Sequence, residues 1–178
     1  RQRKDEGSMD IAVYSGSFNP LHIGHLAIMK HMTEEAGFWY VYLIVSPKNP
    51  LKEGISSATG RERYEAAIEA VRRHEGLRVW VDDIELKMPE PHYTIRTLDA
   101  LRERQPENTF TLVIGADNLA DIRRWRDYRR ILGEYGVAVF PRTGFDLPAI
   151  KEDLLAADPS YRSTLLNAEM VDISSTTI

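Results

Sequence analysis

Cysteine is absent from the 178 residues. That absence excludes disulfides, thiolate metal sites and cysteine nucleophiles together, and it is compatible with a reducing compartment. Also missing is an apolar run of membrane-spanning length, and the charged start from Arg1 to Glu6 lacks the apolar segment of a signal peptide. Positive charge is not in excess either. Twenty-seven acidic against 23 basic side chains leave a formal charge of −4, which disfavours a broad nucleic-acid surface but permits a local cationic pocket for small anions. The expectation is a cytoplasmic protein that engages neither membrane nor nucleic acid. With 43% hydrophobic residues the chain suits a single domain over residues 9–178, and residues 1–8 read as a native extension or an expression remnant.

Short β-branched apolar runs alternate with longer segments of helical period. Ile11 to Tyr14, Val41 to Val45, Val79 to Val81, Phe110 to Ile114 and Val137 to Phe140 predict strands. Four helical stripes lie among them: Leu26, Met29, Thr33 and Ala36; Tyr64, Ala67, Ile68 and Val71; Ile95, Leu98 and Leu101; Trp125, Tyr128 and Leu132. Glycines 37, 76, 133 and 136 stand where left-handed residues would end helices. The pattern predicts an α/β, Rossmann-like open parallel sheet with helices on both faces. Such sheets bind ligands beyond the carboxyl ends of their strands, here residues 15–25, 46–54, 82–94, 115–118 and 141–144.

The first of these segments, Gly16-Ser17-Phe18-Asn19-Pro20-Leu21-His22-Ile23-Gly24-His25, places two imidazoles where a strand turns into a helix. Free amides at a helix start attract anions, and histidine adds donors that can become cationic. A helix beginning near Leu21 would put His22 and His25 on one face, with Gly24 leaving room for a flat group. A phosphate site is the expectation. Zinc would need a third ligand, and no nearby Asp, Glu or Cys supplies one, so no protein-held metal is expected. Other segments have ordinary explanations on their own. Thr94, Asp117 and Ser174 to Thr176 would serve as helix caps, Trp125 as core, and Lys48 and Lys52 as exposed loop charges. The arginines at 123, 124, 126, 129 and 130 read as solvated helix surface.

The ten residues from Gly16 to His25 resemble the signature of the nucleotidylyltransferase superfamily. His92-Tyr93-Thr94-Ile95-Arg96-Thr97-Leu98, Ile114-Gly115-Ala116-Asp117 followed by Trp125, Arg142-Thr143-Gly144 and Ile173-Ser174-Ser175-Thr176-Thr177-Ile178 resemble successive motifs of bacterial nicotinate mononucleotide adenylyltransferases. The resemblance implies the nucleotidylyltransferase fold and transfer of AMP from ATP to nicotinate mononucleotide, giving nicotinate adenine dinucleotide and pyrophosphate, with Mg2+ as cofactor. It implies that His22 and His25 are catalytic and that Gly16, Ser17, Phe18, Gly24, Asp117, Ser174, Ser175 and Thr176 join them in binding ATP. Ser17, Phe18, Lys52, Tyr93, Thr94, Trp125 and Arg142 are the implied acceptor-binding residues. Two departures stand out. Leu51 occupies a position where the family often has histidine, and the arginine that follows the terminal motif is not in the sequence. They leave two alternatives open: a same-fold enzyme for phosphopantetheine or nicotinamide mononucleotide, and a nucleotide sensor without turnover.

Overall fold

The computed structural model describes residues 8–47 and 59–167. Six strands form one parallel sheet in the order β3-β2-β1-β4-β5-β6: β1 (Asp10–Gly16), β2 (Tyr40–Val45), β3 (Val79–Asp82), β4 (Thr109–Gly115), β5 (Val137–Phe140) and β6 (Ser163–Leu165). The five expected strands are present, each within two residues of its predicted ends, and β6 is an addition at the edge.

Alternation along the strands explains why helices cover both faces. Ile11 and Val13 of β1 join Ile44, Leu112, Ile114, Val137 and Val139 in one core. Ala12 and Tyr14 point the other way, into a second core with Leu43, Val45, Val113 and Ala138. The first core is closed by α3 (Thr94–Arg104), through Ile95, Leu98 and Leu101, and by α4 (Ala116–Ala120) and α6 (Leu147–Ala157). The second is closed by α1 (Ile23–Glu34) and α2 (Gly60–Arg72).

Three helical expectations change. The buried face of α1 is Gly24, Ile28, Met29, Met32 and Thr33, so Leu26 stands at its margin and Ala36 beyond its end. Trp125, Tyr128 and Leu132 do pack on the first core, but not from one helix. A 3-10 turn (Ile122–Arg124), the short α5 (Tyr128–Arg130) and a π turn (Ile131–Tyr135) follow one another, and left-handed Asp127 (φ 55°) breaks the path between the first two. Gly133 lies inside the π turn, whereas Gly37, Gly76 and Gly136 have positive φ close after helical segments.

The strand order reverses between β1 and β4. Their carboxyl ends are Gly16 and Gly115, so the chain leaves the sheet in opposite directions there and opens the crevice in which such folds bind ligands.

Candidate active site

The turn after β1 is built around the ring of Phe18. A Cβ on Gly16 would stand 3.0 Å from that ring's Cζ, so glycine lets the aromatic fold back over the strand end. Phe18 adopts φ 48°, a left-handed conformation disfavoured for a residue with a side chain. The turn continues through Asn19 and Pro20 to His22, which caps α1 with extended backbone (φ −139°), so the helix starts two residues later than expected.

His22 and His25 therefore meet across the helix start rather than within it. Their rings stack, with centroids 3.6 Å apart and planes inclined by 21°. His25 Nδ1 accepts the His22 backbone N–H at 3.1 Å. That bond occupies the Nδ1 lone pair, so the neutral ring carries its proton on Nε2. Edge contacts from Phe18 (5.1 Å) and Tyr14 (6.2 Å) hold the ring from two further sides. Burial, then the nearby His22 and Arg142 charges, lower the His25 pKa to about 4. Burial also lowers that of His22.

The sign of this shift makes a stability prediction. Folded His25 stays neutral down to about pH 4, while the unfolded ring takes up a proton near pH 6.5. Its contribution is therefore complete above the unfolded value and is lost as pH falls from 6.5 toward 4. Thermal midpoints measured across that window should fall less steeply for His25→Gln than for the parent. Equal slopes would refute the assignment.

A cavity of about 420 Å³ surrounds the pair, lined by residues 14–20, His22, His25, Asn118, Phe140 and Arg142. Arg142 Nε is buried there without a hydrogen bond among the described residues. The Arg142 guanidinium lies 5.5 Å from the Phe140 ring centroid, and its Nε stands 3.7 Å from Asp117 Oδ1. Arg142 thus sits with the histidines, not with the aromatic acceptor group.

A second chamber of about 170 Å³ adjoins the first, and Tyr14, Ser15, Asn118 and Phe140 line both. Its remaining wall is Thr94, Leu112 to Gly115 and Trp125. Thr94 is the first residue of α3, capped by Tyr93, and the first turn of that helix carries no acid. Tyr93 itself turns outward. Its ring lies under the Arg126 guanidinium at 4.5 Å, and its hydroxyl accepts from that arginine at 3.4 Å.

The turn thus brings Gly16, Ser17, Phe18, His22 and His25 together, and sheet order adds Arg142, Thr94 and Trp125 from far along the chain. Gly24 is buried in α1 and lines neither chamber. Asp117 is exposed beside the site and makes no cap bond, with Gly115 as the residue that caps α4. Lys48, Lys52, Ser174, Ser175 and Thr176 lie outside the described residues. Two residues escaped the sequence reading. Asn118 falls inside the segment flagged after β4, one place beyond the residue chosen. Arg63 shares the buried stripe of α2 with Ala67 and Ala70, at a spacing of four and then three, so an arginine on an apolar stripe was the available signal.

A cavity at a helix start, joined to a chamber walled by Trp125 and Phe140 at the sheet's reversal point, is the arrangement of a nucleotide-binding α/β fold. The chain belongs to the cytidylyltransferase-like family, whose model matches residues 13–178. Within that class it groups with the nicotinate-nucleotide adenylyltransferases. A Flavobacterium johnsoniae relative named "Probable nicotinate-nucleotide adenylyltransferase" is 36% identical over 170 residues, covering 96% of this chain and 84% of that one. One of the same name from Porphyromonas gingivalis is 37% identical over 166 residues, covering 93% and 80%. Among solved structures, Plasmodium falciparum nicotinic acid mononucleotide adenylyltransferase shares the fold in its complexes with APC and with NaAD. The TM-scores are 0.72 and 0.74 at 16% and 17% identity, over 92% of this chain and 77% of that one.

Proposed function

We infer that the protein transfers AMP from ATP to nicotinate mononucleotide, releasing pyrophosphate and forming nicotinate adenine dinucleotide in NAD biosynthesis. The observation that carries this reading is the shared wall of Tyr14, Ser15, Asn118 and Phe140 between a cationic chamber and an aromatic one. Triphosphate in the first and pyridine in the second would bring the reacting groups together at that wall. The relatives' names supply the acceptor, a nicotinate nucleotide, and the group transferred, an adenylyl.

In the reaction, a phosphate oxygen of the mononucleotide bonds to the α-phosphorus of ATP. The bond from that phosphorus to the bridging oxygen breaks, and pyrophosphate takes the electron pair. The nucleophile is already an anion, so no side chain need remove a proton. The protein's task is to hold two repelling anions in line and to stabilise the charge growing on the leaving group. In this reading the stacked histidines and Arg142 serve the second part, and the Ser17 and Phe18 amides the positioning.

Magnesium belongs to this reading as the companion of ATP. Its ligands would come chiefly from the phosphates and water, with one or two carboxylates as the usual protein share. No helix among the described residues is long and apolar enough to cross a membrane, and the cysteine-free, net acidic chain supports a cytoplasmic site of action without nucleic acid.

The test is pyrophosphate release from ATP with each of three acceptors: nicotinate mononucleotide, nicotinamide mononucleotide and phosphopantetheine. The first should dominate, with the dinucleotide recovered as product. Preference for either other acceptor would reassign the substrate, and tight ATP binding without product from any would make the protein a sensor.

A further inference from the structure

Arg63 is among the most deeply buried charged residues described, 2% exposed, and no step above uses it. Its side chain leaves α2 and ends under the loops that follow β1 and β2. Nη1 donates to the Ser17 carbonyl at 2.7 Å and to the Ser46 carbonyl at 2.8 Å, and Nη2 donates to the Pro47 carbonyl at 3.1 Å. The two loops are also tied directly, Ser46 N–H donating to the Gly16 carbonyl at 2.9 Å.

A guanidinium is an expensive way to fill such a place. Removing a cation from water disfavours the fold, and burial lowers the Arg63 pKa accordingly, though arginine keeps its charge. An apolar residue would extend the stripe of Ala67 and Ala70 without that penalty. What an apolar residue lacks is a fork of directional donors that grips carbonyls from two loops at once.

The gripped Ser17 carbonyl belongs to the peptide that leads into Phe18, whose left-handed backbone needs restraint from its surroundings. In a trans peptide the N–H points opposite to the carbonyl. A carbonyl held on Arg63 therefore turns the Phe18 N–H away from α2, and both Ser17 and Phe18 line the histidine chamber.

We propose that Arg63 is a positioning residue for that chamber: it fixes the Ser17 carbonyl and so aims the Phe18 amide at the phosphates. The proposal rests on the reading that this chamber receives the phosphates of ATP. A solvated lysine loop or a plain stabilising contact would not give the same set of results in the following experiment.

Arg63→Ala and Arg63→Lys are compared with the parent in the full chain. Calorimetry reads inorganic pyrophosphate binding, and steady-state kinetics read kcat and both KM values, with and without added guanidinium ion. Loss of alignment predicts a fall of about 100-fold in kcat for Arg63→Ala, with weaker pyrophosphate binding. Guanidinium ion should restore about tenfold of that, because it can refill the vacated seat, and urea at equal concentration should restore nothing. A folded Arg63→Ala within about threefold of the parent in kcat and pyrophosphate affinity overturns the proposal, as does a loss that guanidinium leaves untouched. Should the alanine variant not fold, Arg63→Lys decides: a thermal midpoint near the parent's with kcat lowered about tenfold supports positioning, and unchanged kcat overturns it. Pyrophosphate binding needs no acceptor, so a parent that binds it yet ignores nicotinate mononucleotide would sink the substrate reading alone.

Discussion

His25→Ala should lower kcat by about 100- to 1,000-fold, the range expected when one preorganised donor to developing negative charge is removed. On the proposed assignment of the acceptor to the other chamber, where it would bind equally well in ground and transition states, KM for nicotinate mononucleotide should move by no more than about twofold. The reason lies in how the ring is held. His22 stacks on one face at 3.6 Å, the His22 N–H occupies Nδ1, and Phe18 and Tyr14 meet the ring edge-on. The remaining Nε2–H is thus fixed before substrate arrives, and no reorganisation is needed when charge grows on pyrophosphate.

The same variant leaves the His22 amide without its acceptor, which resembles loss of a reciprocal helix cap and should cost about 0.5–2 kcal/mol. Turnover and stability effects can be separated with His25→Gln, whose amide can accept one bond and donate another. Gln should recover a substantial part of kcat relative to Ala. Parallel losses in acceptor affinity and kcat for His25→Ala would contradict a role confined to the transition state.

Much of this arrangement was legible before any coordinates, for a physical reason. Strands buried on both faces, such as Val41 to Val45, must be continuous apolar runs, and those are visible in sequence. β6 is three residues at the sheet edge, paired with β5 alone among the described strands, and its Ser163 and Thr164 carry no apolar signal. The region from Ile122 to Tyr135 shows the opposite failure. Its apolar residues have helical spacing because each packs on the same core, yet the left-handed Asp127 interrupts the backbone.

The site divides in the same way. The turn from Gly16 to His25 is local, so its place at a strand end and helix start could be read from adjacent residues. The stacking of His22 and His25 could not, since it depends on His22 being a cap rather than a helical residue. Long-range placement is set by sheet order. Arg142 follows β5 and Asn118 follows β4, and only the 1-4-5 adjacency of strands brings both to the histidine cavity. Arg63 showed only as an arginine on an apolar stripe, because its partners are backbone carbonyls, which every residue possesses and no sequence pattern marks.

Trp125→Ala should raise KM for nicotinate mononucleotide by about 10- to 100-fold, corresponding to the roughly 1–3 kcal/mol that an aromatic platform gives a stacked heterocycle. The indole is set in place by its backbone, Trp125 N–H donating to Ile122 at 2.9 Å and Tyr128 N–H donating back to the Trp125 carbonyl at 3.2 Å. It shares the chamber wall with Gly115, where a Cβ would stand 2.7 Å from Asp117 Oδ1 and 2.9 Å from Phe140 Cε1. With the triphosphate assigned to the other chamber, steady-state kinetics should find kcat and the ATP KM within about threefold of the parent. A loss carried by the ATP KM instead would remove Trp125 from the acceptor side. Stacking does not distinguish a carboxylate from an amide at the ring's edge. The preference for nicotinate over nicotinamide mononucleotide should therefore survive in Trp125→Ala while both affinities fall together. On this reading the preference would come from the start of α3, where Thr94 opens a helix with no acid in its first turn and a carboxylate would meet the positive end of the helix dipole. An acid placed there, Arg96→Glu, should erode the preference while leaving the stacking platform intact.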